Sequence, residues 1–96
     1  MLEQLSVEDF LPLLGQKVTV HAGARSGEFE VKEAAVINSP SPRATPAFHV
    51  ILRAPTDWHL AQGICRLQHP TYGNLDLFAV PIGPDGQGLC YEIIFN

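Results

Sequence analysis

Lys17-Val18-Thr19-Val20-His21, a turn at Gly23-Ala24-Arg25-Ser26-Gly27, and Glu28-Phe29-Glu30-Val31-Lys32 together decide the fold. Polar and apolar residues alternate with a period of two in both arms, which places Val18 and Val20, then Phe29 and Val31, on one face of a pleated strand. Two such runs joined by a glycine-bounded turn read as an antiparallel hairpin.

The same period returns along the chain. Strands are expected over 17–22, 28–37, 47–53, 63–69, 74–81 and 88–95. Phe48, Val50 and Leu52 share one side of the third, and Leu89, Tyr91, Ile93 and Phe95 share one side of the last. His69-Pro70-Thr71-Tyr72-Gly73-Asn74 reads as a turn between two strands, and Pro81 to Gly88 as a glycine-rich one. Asn38 to Pro46, with three prolines and small polar residues, cannot build a ladder and reads as the most mobile loop. Near the amino terminus Val7, Phe10, Leu11 and Leu14 repeat at helical spacing behind an N-cap at Ser6, which predicts a helix over 7–14 ending at Gly15. Pro12 keeps that helix short or starts a second turn. Connections are short, and no strand-helix-strand alternation of the parallel kind occurs. The fold class is therefore mainly β: a small antiparallel β-barrel or sandwich of about six strands with one short N-terminal helix, the whole of 1–96 forming a single domain.

Composition agrees with that reading. The chain has 96 residues, 46% of them hydrophobic and 17% charged, with eight glycines and eight prolines. Six basic against ten acidic residues leave a net charge of -4, which lacks the basic surplus of a protein that binds phosphate backbones. No nucleic-acid partner is expected. Apolar runs stop at four residues, as in Ala34 to Ile37, far short of the ~18–20 needed to span a bilayer. The first residues are acidic and polar where a secretory signal is basic and then apolar, so neither a membrane nor export is expected and the location is read as cytoplasmic. Cys65 and Cys90 have no CxxC spacing and are read as reduced thiols in strands; a disulfide would require their strands to be neighbours.

No catalytic motif assembles. Serines lie in turns, with no strained elbow around them, and Arg66 beside Cys65 points to the opposite face of its strand. Glu28 and Glu30 share a face, but alternating acids of that kind mark a solvated one. The run from Gly83 to Gly88 lacks the lysine and the following helix of a phosphate loop. An enzyme is not expected, and no cofactor is assigned. The candidate binding residues are the aromatic and polar loop side chains Trp58, His59, His69 and Tyr72, because such loops concentrate partner contacts. The alternative is a small-molecule or metal-binding barrel using His49, His59 and His69 with Trp58, although no pair of histidines has a metal-ligand spacing. With charge so scarce, part of the sheet is expected to be covered by a protein partner or by another copy of the chain, through an edge strand or the 54–62 and 69–74 loops.

Gln62-Gly63-Ile64-Cys65-Arg66-Leu67-Gln68-His69-Pro70, the run from Gly73 to Asp85, the ending Tyr91-Glu92-Ile93-Ile94-Phe95-Asn96 and the opening Leu5-Ser6-Val7-Glu8-Asp9-Phe10 with Gly15 resemble a family of small bacterial domains of unknown function. The likeness spans nearly the whole chain; residues 22–46 carry nothing specific, and Cys65 stands where that pattern has an aromatic residue. It implies no activity, cofactor or catalytic residue. It does imply an accessory or assembly role beside tail-collar-like, phage-derived proteins.

Overall fold

The computed structural model describes residues 4–37, 45–59 and 61–96. Six strands, β1 (Lys17–Ala22), β2 (Arg25–Val36), β3 (Phe48–Arg53), β4 (Gly63–His69), β5 (Gly73–Pro84) and β6 (Leu89–Phe95), close into a barrel in the order β1-β2-β3-β6-β5-β4. Every pairing is antiparallel. Of the two architectures open in the sequence, the barrel is the one formed. Closure also corrects the expectation of an edge strand for a partner, since each strand has a neighbour on both sides over at least part of its length. The 39–46 loop lies largely outside the described residues.

The β1–β2 hairpin is tighter than its glycines suggest. Ala22 pairs with Arg25, which leaves a two-residue loop of Gly23 and Ala24 with a positive φ of 62° at Gly23 alone, the pattern of a type II′ turn. Arg25, Ser26 and Gly27, read as turn in the sequence, therefore belong to β2. β5 likewise runs on past 81, through two prolines. The register shifts between Pro81 and Gly83, and a bulge is one of the few places where a strand tolerates proline.

The expected helix over 7–14 is two successive 3-10 turns, Val7–Asp9 and Leu11–Leu13. Pro12 offers no N–H for an α-helical bond back to Glu8, so the chain tightens instead: Leu13 N–H reaches the Phe10 carbonyl at 2.9 Å and Leu14 N–H that of Leu11 at 3.2 Å. The Ser6 N–H donates to the Asp9 carboxylate at 2.8 Å, which closes the first turn.

Alternation within the strands fills the barrel. Val18 and Val20, Phe29 and Val31, Phe48, Val50 and Leu52, Cys65 and Leu67, Leu75, Leu77 and Ala79, and Tyr91, Ile93 and Phe95 are all buried. At one end Phe10, carried in by the N-terminal turns, seals the core. It packs 5.9 Å from Phe48 and 5.4 Å from Phe95, and those two cross-strand partners stack at 4.4 Å. At the other end Trp58 meets Phe29 edge-on at 5.1 Å. Each such ring contributes roughly 1.5–3 kcal/mol through burial, with about 0.5–1.5 more for each well-placed aromatic pair. Cys65 in β4 and Cys90 in β6 are free thiols with β5 between their strands, so the neighbour relation a disulfide requires does not exist. Burial raises the pKa of both.

Candidate functional site

The loop residues singled out in the sequence do not form one patch. Trp58 and His59 precede β4, whereas His69 is its last residue and Tyr72 lies in the turn beyond, so the length of the strand separates the two pairs. Trp58 is turned inward, 2% exposed, with the Arg25 guanidinium 4.2 Å above its ring. Its indole N–H has no hydrogen-bond partner among the described residues. His59 beside it is exposed.

His69 is a structural clip. Its Nδ1 accepts the Thr71 N–H at 3.0 Å, so its Nε2 carries the proton and donates to the Asp9 carbonyl at 2.7 Å, while the ring stands edge-on to Phe10 at 5.1 Å. Tyr72 adds a second tie, its hydroxyl donating to the Asp9 carboxylate at 2.9 Å. The Ser6 amide first, and Tyr72 after it, hold the Asp9 carboxyl below the usual carboxylate range. These contacts fasten the N-terminal turns over one end of the barrel and engage the polar atoms of His69 and Tyr72 that the loop reading offered to a partner.

Nor do His49, His59 and His69 converge. His49 lies on the outer face of β3, its Nδ1 2.8 Å from Glu92 in β6 and its Nε2 2.6 Å from Glu33 in β2. The bulge between Val31 and Glu33 sets this geometry, because it brings Glu33 opposite Ile51, with Glu92 across from the same residue on the other side. Burial pushes the His49 pKa down, but the two carboxylates outweigh it and the net shift is upward. Among the described residues no three or more His, Cys, Asp or Glu side chains are grouped to hold a metal ion.

A second charged network lies further along the same β2–β3 wall. Asp85 meets Arg53 at 2.7 Å and Lys32 at 3.0 Å, and its other oxygen accepts the backbone N–H groups of Gln87 and Gly88. Arg53, those amides and Lys32 together hold its carboxyl far below the ordinary range. Both networks pair their charges with one another across the outer face of the barrel wall.

The outer face of β4–β6 is apolar by contrast. Ile64 and Phe78 are direct partners across β4 and β5, both turned to solvent, 66% and 50% exposed. Ile94 in β6, also 50% exposed, is a third large apolar side chain on the adjoining strand, two residues past the last β5–β6 pair, Val80↔Glu92. The exposed ion pair of Arg66 and Asp76, 2.8 Å apart, borders Ile64 and Phe78. The sequence held a signal for this face: Leu77-Phe78-Ala79-Val80 and Ile93-Ile94-Phe95 are apolar at outward as well as inward positions, beyond what one buried face requires.

No helix among the described residues is long and apolar enough to cross a membrane. No curated protein and no solved structure matches the chain. Residues 5–95 match the model of one family, which covers the N-terminal turns and all six strands, and the chain thus belongs to the family described as Domain of unknown function (DUF6916).

Proposed function

We propose that this protein is a non-enzymatic binding or assembly module that docks on another protein through the outer face of β4, β5 and β6. The observation that carries the reading is the paired Ile64 and Phe78 together with Ile94, three large apolar side chains at least half exposed on adjacent strands. Apolar groups grouped in this way gain by being covered, at about 25 cal/mol per Å² removed from water. A net charge of -4 disfavours covering them with a second copy, which makes a foreign protein the better occupant. The sequence resemblance supports an accessory role in a bacterial phage-tail-like assembly as the setting. The two unpaired buried thiols are compatible with a reducing, cytoplasmic compartment.

Affinity capture from source-cell lysate with the wild-type chain and with Phe78→Glu, each also run in sedimentation velocity, tests this. The reading expects a protein that the wild type retains and the variant loses, with both chains monomeric when pure. A wild-type monomer that retains nothing, or the same proteins as the variant, sinks it. Self-association abolished by Phe78→Glu would put a second copy in the partner's place.

A further inference from the structure

The ring of strands is unevenly zipped. β1 and β2 register over six pairs and β4 and β5 over seven, but β1 meets β4 only at Val20↔Leu67 and His21↔Arg66. On one side of those two pairs the ladder stops. Lys17, Val18 and Thr19 are paired to β2 through Glu30, Phe29 and Glu28 and have no register partner in β4. Gln68 and His69 are paired to Asn74 and Gly73 in β5 and have none in β1. Between the two segments lies a cleft of about 420 Å³, with Leu13, Lys17, Thr19, Gln68 and Pro70 among its lining. That is far more than the ~30 Å³ share of one water molecule.

Strand backbone without a neighbour presents N–H and C=O groups at fixed spacing, and the complement of that pattern is another extended chain. Closing a barrel ordinarily removes such edges. Here closure is incomplete over three residues of β1. Charge selects further among extended chains. Among the described residues Lys17 is the one formally charged side chain lining the cleft and no carboxylate lines it. Glu30, across from Lys17 in the ladder, already pairs with Arg53 at 3.1 Å. Glu28, which accepts the Thr19 hydroxyl at 2.6 Å, lies beside Lys17 but does not line the cleft, so Lys17 is the charge that the cleft itself presents.

We infer that the half-open seam between β1 and β4 is a strand-addition site for an extended acidic segment of a partner protein, laddered to Lys17–Thr19 with a carboxylate on Lys17. This surface is separate from the apolar face of β4–β6 and does not depend on it.

The test is a titration of the full chain with an end-capped hexapeptide, TVEVSE, followed through backbone amide NMR shifts. Shifts should gather at Lys17–Thr19, Gln68 and His69. Methylating alternate peptide nitrogens on one edge should abolish them. Lys17→Glu should weaken binding about fivefold, the upper range for one exposed ion pair, and the charge-swapped peptide TVKVSK should recover the loss. Phe78→Glu should leave the titration unchanged, which separates this inference from the proposed function. It is overturned if millimolar peptide moves no seam amide, if the methylated peptide acts equally well, or if the same amides shift with protein concentration alone, which would make the occupant a second copy.

Discussion

His69 Nε2 donates a hydrogen bond of 2.7 Å to the carbonyl of Asp9, sixty positions earlier in the chain. The contact joins the end of β4 to the N-terminal turns, and through them seats Phe10, which is fully buried, in the mouth of the barrel. His69→Ala would leave the Asp9 carbonyl and the Thr71 N–H without their partner and remove the ring packed against Phe10. A loss of about 2–4 kcal/mol is expected, combining a core truncation with two orphaned backbone groups. Tyr72→Phe, which breaks only an exposed tie, should cost less. Urea denaturation of the two variants checks the order, and equal losses would refute the clip.

Gly88 and Gly63 make a matched pair for testing how tightly the β-barrel wall is built. A Cβ on Gly88 would drive into the backbone carbonyl oxygen of Ala54, whose own N–H holds the Leu89 carbonyl at 2.8 Å. Neither atom belongs to a side chain that could swing away. Gly88→Ala should therefore cost about 1–3 kcal/mol, as overpacking does. Nothing lies within 4 Å of a Cβ on Gly63, and its φ is not positive. Gly63→Ala should fall within about 0.5 kcal/mol of wild type. Thermal melts of both variants decide whether space or glycine content as such sets the tolerance.

These two glycines also show where the sequence stopped being legible. Alternation in Lys17–His21 and Glu28–Lys32 named the strands because burial on one face leaves its period in the residues nearby. Steric room at Gly88 depends on Ala54, a residue that only the closed sheet brings near. Helical spacing at Val7, Phe10, Leu11 and Leu14 marked the right apolar side chains for burial at Val7 and Phe10. It could not register that Pro12 would turn the segment into 3-10 geometry and leave Leu11 and Leu14 at 41% exposure. The proposed loop patch failed for a related reason. Trp58 and Tyr72 are close in number, but a strand runs between them, and which end of a barrel each loop reaches is settled by pairing, not by spacing. Phe78 and Ile94 were not singled out from the sequence, although they carried a signal as surplus apolar residues whose inward neighbours already supply the core.

His49 predicts the alkaline limb of the stability profile. Its pKa is raised in the folded state by Glu92 and Glu33 despite burial. A raised value means stabilisation that is complete below the unfolded histidine pKa of about 6.5 and is lost as pH climbs through the folded value. The acid limb has the opposite sign. Asp9, Asp76 and Asp85 are held low by Ser6, Arg66 and Arg53 in turn, so their contribution is present above about 3.9 and drains away as pH falls through their folded values. Urea midpoints measured across this range should decline on both sides of a plateau. His49→Gln should flatten the alkaline decline alone, by about 1 kcal/mol or less because the pair is partly solvated. A decline that survives the substitution would move its origin elsewhere.

Trp58, the single tryptophan, carries two opposing contributions that a pair of substitutions separates. Its ring fills the barrel end against Phe29 and beneath Arg25, and its buried N–H has no acceptor among the described residues. An unsatisfied buried donor costs about 1–3 kcal/mol. Trp58→Phe gives up part of the packing and some of the attraction to Arg25, but it also removes that donor, so the net loss should stay under about 1 kcal/mol. Trp58→Ala forfeits the whole ring and should cost about 3–5 kcal/mol. Gly27 strengthens the contrast, because a Cβ there would sit 3.0 Å from the indole, and replacing the indole with a phenyl ring relieves that crowding. Gly27→Ala should accordingly be tolerated better in the Trp58→Phe background than in the wild type, a coupling that a double-mutant cycle reads directly. Because the fluorophore is lost, the melts are followed by far-ultraviolet circular dichroism. Similar losses for Trp58→Phe and Trp58→Ala would mean that the N–H finds an acceptor in solution.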